Sequence, residues 1–156
     1  MAALSDYLES GLLHHVFRGQ SFPKPANICV ALTSGVPLDS HTGSTIPEMA
    51  SGLADGITST NYSRVELGNP AEQGNTRWSY STEDHAAGSG IIRNMGQIVF
   101  ATALTDWGWV SGIAITDHAT VGSGNLLMHA ELTNPRLIYT GDNVKFDIDT
   151  LEISFK

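Results

Sequence analysis

Asn143-Val144-Lys145-Phe146-Asp147-Ile148-Asp149-Thr150-Leu151-Glu152-Ile153-Ser154-Phe155 decides what kind of chain this is. Val144, Phe146 and Ile148 alternate with Lys145 and Asp147, and Leu151, Ile153 and Phe155 alternate with Glu152 and Ser154. A strand turns successive side chains to opposite faces, so this period of two predicts two half-buried strands. Asp149-Thr150 supplies the turn between them, and the whole reads as a hairpin with both apolar sets on one buried face.

Working outward, the carboxy-terminal half carries further strand signals at Gln97–Ala101, Val110–Thr116, Asn125–Leu132 and Leu137–Tyr139. Each is short, rich in aliphatic residues and bounded by Gly, Asp, Asn or Pro. Upstream, Ile28–Thr33 is a compact apolar run after Pro23 and Pro25, and Tyr62–Leu67 alternates. Trp78-Ser79-Tyr80 could form a further short strand. Residues 34–60 and about 69–90 are polar, rich in Gly, Ser and Thr, and lack periodicity. Loops of that length and composition are expected to be functional or ordered by a partner.

Residues 4–18 differ from the rest. Ser5 can cap a helix, Asp6 and Glu9 suit the positive end of its dipole, and Arg18-Gly19 supplies a stop. At about 100° per residue, Leu4, Tyr7, Leu8, Gly11, Leu12, His15 and Val16 share one broad arc. Leu13 and Phe17 fall outside it, among Asp6, Ser10 and His14, and make a second apolar spot that folding alone does not require. They are the candidate partner-interface residues. The expected fold is mainly β: a single domain over 1–156, with helix 4–18 followed by a jelly-roll-like β-sandwich over 26–156.

Composition narrows the function. Sixteen acidic residues against eight basic ones give a formal net charge of −8, and the bases are scattered singly. Nucleic-acid binding needs a basic stripe, so no nucleic-acid partner is expected. No apolar stretch approaches the roughly 20 residues of a membrane-spanning helix, and no secretion signal is apparent. Synthesis in the host cytoplasm is the expectation. Cys29, the single cysteine, lies in an apolar strand and reads as a buried structural thiol.

Chemistry-bearing residues do not assemble into a motif. His14 and His15 are helix neighbours that point about 100° apart and cannot share a metal as an i, i+4 pair could. Asp117-His118, and Asp147 with Asp149, read as turn and strand-end residues; Asp39, His41 and Ser44 share a loop too irregular to hold a triad. There is no Gly-x-Ser-x-Gly elbow, phosphate-cradling loop or Cys-x-x-Cys pair. The expectation is no enzyme, with no catalytic residues, no metal and no cofactor.

Several segments together carry a resemblance: Leu4 to Gly19, Ile28–Leu32, Ile98-Val99-Phe100 before Trp107-Gly108, and Gly112 to Asp117. Gly124-Asn125-Leu126-Leu127 and Thr140-Gly141-Asp142 complete the set. In order and spacing they resemble a family of short proteins of tailed-bacteriophage virions, often labelled tail-fibre proteins, some of which look like capsid decoration (cement) proteins. The resemblance covers about two-thirds of the chain and skips the two polar loops. It implies a structural protein in the virion. The first expectation is decoration of the head, with the major capsid protein and copies of itself as partners in a homo-oligomer. The alternatives are a tail-associated fibre or adaptor component, or a carbohydrate-binding sandwich using Trp78, Tyr80 and Trp109.

Overall fold

A computed structural model describes residues 3–49, 60–69, 78 and 91–154. The chain is mainly β, with one helix near its amino terminus. A short strand β1 (Ala3–Leu4) leads into helix α1 (Asp6–Arg18), followed by β2 (Ile28–Thr33) and β3 (Val65–Gly68). Then come β4 (Ile91–Arg93), β5 (Ile98–Val99), β6 (Gly108–Thr116), β7 (Leu126–Ile138), β8 (Lys145–Phe146) and β9 (Glu152–Ser154). A central antiparallel sheet has the order β1-β7-β6-β2-β3, and two small ladders pair β4 with β9 and β5 with β8. Ladder side chains pack on one face of the central sheet, an arrangement compatible with the expected sandwich.

β2 explains why that sheet is central. Five consecutive residues from Cys29 to Thr33 are buried, so both faces of the strand are covered. On one face Val30 and Leu32 join Tyr62, Leu67, Ile98, Phe100, Trp107, Val110 and Ile138 in the main core. Tyr62 stacks on Phe100 at 6.2 Å between ring centres and meets Trp107 edge-on at 5.4 Å. On the other face Ala31 pairs with Ala114, and these two small side chains let Ile46 settle beside Leu126.

That second contact corrects, for residues 34–49, the expectation of a loop ordered by a partner; residues 50–59 lie outside the described residues. For residues 34–49 the domain itself supplies the order: Ile46 and Met49 are buried, Ser34 N–H donates to Pro47 O, and Met49 N–H donates to Leu32 O. Gly43 approaches the 123–124 backbone so closely that an added Cβ would lie 2.2 Å from Ser123 O.

The carboxy-terminal hairpin is corrected too. A tight turn forms, with Thr150 N–H donating to Asp147 O, but its arms do not pair with each other. β8 joins β5 and β9 joins β4. The reason is Asn94, which is fully buried. Its side chain accepts from Leu151 N–H and donates to Asp147 O, while its backbone accepts from Asp149 N–H. Backbone groups that a hairpin would have matched are taken by this one residue. Burial follows suit: Val144, Phe146 and Leu151 pack on the main core, Ile153 packs with Ile115, Leu127 and Met128, and Ile148 is exposed. Phe155 lies outside the described residues.

Two strands expected at Asn125–Leu132 and Leu137–Tyr139 are one, β7, running through Pro135. Its register with β6 jumps from Gly112↔Glu131 to Val110↔Arg136, leaving 132–135 in a bulge where proline's missing N–H is harmless. Tyr62–Arg64 precedes β3 rather than forming its first half. Gly108 follows the buried Trp107 but is not there to make room for its indole. An added Cβ would touch nothing there, and it is the backbone at φ 88° that requires glycine.

Candidate interaction surface

Helix α1 is tied down at its first turn. Ser5 is fully buried; its Oγ accepts from Leu8 N–H at 3.2 Å and donates to Leu126 O, and its N–H donates to Leu127 O at 3.0 Å. Asp6 N–H donates to Asp39 O, and Asp39 Oδ1 meets Nε2 of the buried His129 at 2.8 Å. Leu4 and Leu8 pack against Ile115, Leu127 and Met128. Phe22 folds back over Gly11 and lies 5.6 Å from Tyr7 between ring centres. Gly19 ends the helix in the left-handed conformation expected of it.

Beyond that anchor the helix overhangs. No residue of α1 is buried. Leu12, Leu13, Val16 and Phe17 are 38%, 57%, 66% and 79% exposed, and they are neighbours on successive turns. Leu13 and Phe17 therefore lie in solvent, as their place outside the main arc suggested. Leu12 and Val16, expected to face inward, join them. The domain covers only the first two turns, so the arc that periodicity assigned to the core runs past the edge of the sheet.

A second feature was missed in the sequence. Arg64, counted there among the scattered bases, has no exposed side-chain surface. Its Nε and Nη2 grip both oxygens of Glu48 at 2.8 and 2.7 Å, Nη2 also donates to Gly43 O, and Nη1 donates to His118 O and Ser123 O. Tyr62 Oη donates to Glu48 Oε1 and accepts from Leu32 N–H. Burial, with the Glu48 charge beside it, pushes the Tyr62 hydroxyl pKa far up, so it stays protonated as a donor. This network ties the β2–β3 connection, residues 34–64, to the β6–β7 connection, residues 117–125. Its one sequence signal was parity, since Arg64 shares a strand side with Tyr62.

The other candidates stay apart. Asp117 accepts from Asn125 N–H and Nδ2, His118 Nδ1 accepts from Thr120 N–H, and Asp147 accepts from Gln97 Nε2. Asp149 holds a turn at φ 63°. Asp39 pairs with His129, whereas His41 Nδ1 accepts from Leu38 N–H and Ser44 Oγ bonds Thr42. His15 Nδ1 meets Gln20 O. Among the described residues no three His, Cys, Asp or Glu side chains stand where they could hold a metal. Of the three aromatics considered for sugar stacking, Trp109 is exposed, Trp78 packs against the core, and Tyr80 lies outside the described residues.

Residues 3–154 match the family described as Podophage GP4 fiber I protein gp80. The chain belongs to this family. None of the curated proteins matches it. Membership in a fibre-protein family of short-tailed phages makes this a structural, virion-associated protein. On this fibre-family chain, the apolar end of the helix stands exposed beside a small sheet domain.

Proposed function

We propose that this chain is a non-enzymatic fibre or adaptor component on the tail side of a short-tailed phage particle, gripping its neighbours through the free end of α1. The description of the family supports the tail over decoration of the head, the reading first drawn from the sequence. The observation that carries the attachment is the side-by-side exposure of Leu12, Leu13, Val16 and Phe17. Water is the wrong solvent for such a row. Burying Leu13 and Phe17 contributes on the order of 3–6 kcal/mol before ordering costs. The partners are copies of itself and an adjoining virion protein, which on the head would be the major capsid protein.

Particles carrying Leu13→Ser and Phe17→Ser together test this. The isolated variant should fold as wild type does, while particles should lose it at mild denaturant. If the double variant is retained as firmly as wild type, the contact lies elsewhere, and the strand edges come next. Imaging of labelled particles separates the stations. Label confined to the tail supports the fibre role, whereas a copy number that follows the capsid lattice would restore head decoration.

A further inference from the structure

Among the described residues a second surface stands open, a cleft beside β7. Leu132, Asn134, Arg136 and Ile138 of β7, with Val144 just before β8 and Phe146 within it, line this cleft of about 370 Å³. That volume sits at the small end of ligand pockets, roughly 300–1,000 Å³. Its floor is apolar and closes on the buried Val110 and Ile138. Its rim is cationic, because Arg136 and Lys145 are two of only eight bases in a chain of net charge −8. Among the described residues no carboxylate pairs with Arg136, and Lys145 reaches only the exposed Asp147 at 3.6 Å.

Helix α1 presents the complementary chemistry. Glu9, Leu13, Val16 and Phe17 follow at i, i+4, i+7 and i+8, the spacing with which an amphipathic helix lays its anchors into a groove. All four are exposed. The helix cannot serve its own cleft. Ser5 holds its start to Leu126 and Leu127, and its apolar end stands in solvent.

We propose that α1 of one copy seats Leu13 and Phe17 in the cleft between β7 and β8 of a second copy, with Glu9 facing Arg136 and Lys145. The inference rests on the reading of α1 as an interface and names what it meets. The two surfaces are different, so the contact is heterologous: every bound copy still offers a free helix at one end and a free cleft at the other. Repetition closes a ring or extends a row, according to the rotation between copies. One helix face buries less than the roughly 800 Å² per partner of a standard interface, so a single contact is weak and gains strength when repeated.

Sedimentation equilibrium of the full chain tests this over about 5–500 μM, the range in which a weak contact titrates. Wild type should associate as concentration rises. Phe17→Ser and Arg136→Glu should each weaken association at least about tenfold. Mixing the two variants should then give a dimer that grows no further, since one still has a working cleft and the other a working helix. Adding Glu9→Lys to Arg136→Glu should restore association, and circular dichroism checks that each variant folds. If Phe17→Ser abolishes association and Arg136→Glu leaves it intact, the helix meets something other than the cleft; the inference fails and the helix reading stands. A chain that remains monomeric throughout, or variants that do not complement on mixing, would also overturn it.

Discussion

Arg64 shows how much one residue can organise here. Its guanidinium is fully desolvated and directs its donors at Glu48 and at three backbone carbonyls. Removing one partner of such a pair leaves the other charge buried alone. Arg64→Ala should therefore destabilise by about 3–5 kcal/mol in urea unfolding, and Glu48→Gln by a comparable amount, because it leaves the buried guanidinium without its counter-charge and turns an amide NH2 towards donors. A cost below about 1 kcal/mol for Arg64→Ala would show that water enters and replaces the network. Cys29 makes a different residue-scale prediction. Burial, helped by the Glu66 charge, pushes its thiol from 9.0 up to about 11. A raised pKa favours the neutral thiol in the fold, so its contribution is fully present below about pH 9 and is lost as pH rises through about 11. Native protein at pH 8 should resist thiol reagents and react only after denaturant is added; rapid labelling under native conditions would contradict the burial.

At the scale of the element, α1 is a helix whose two ends have different jobs. Its start is a structural joint: Ser5 caps the helix and bonds the β7 backbone. Ser5→Ala should cost about 1–2 kcal/mol and expose the α1 amides to hydrogen exchange ahead of the sheet. If α1 and the sheet exchange together in that variant, the joint lies elsewhere. The far end touches little of its own domain. Much of this helix was legible in the sequence, because cap, dipole and stop are local chemistry, and all three stand where the residues placed them. What could not be read was how far the sheet would extend beneath it. Periodicity says which residues share a side; it does not say whether anything lies on that side.

Across the whole molecule, polar groups are spent on holding connections together. Of the carboxylates and histidines that invited a catalytic or metal reading, Asp39, His41, Asp117, His118 and Asp147 spend side-chain hydrogen bonds on turns and straps. Purified protein is accordingly expected to contain no stoichiometric zinc or calcium by elemental analysis. A metal lost on mutating Asp117, His118, Asp147 or Asp149 would reverse that expectation.

The sequence by itself determined that the chain is mainly β with one helix near its amino terminus, and it placed that helix and several of the strands. Alternation, β-branched runs and turn residues act over a few neighbours, which is why Ile28–Thr33 coincides with β2 and Ser5 and Gly19 bound α1. Only the tertiary structure decided which strand pairs with which. Val144 to Phe155 carried a hairpin's pattern, but Asn94, some fifty residues upstream, bonded the backbone of both arms and sent each to a different partner. Tertiary structure also turned Arg64 inward, through acceptors between 16 and 59 residues away in the chain. Strand pairing and buried ion pairs join residues distant in sequence, and no local pattern encodes their distance in space.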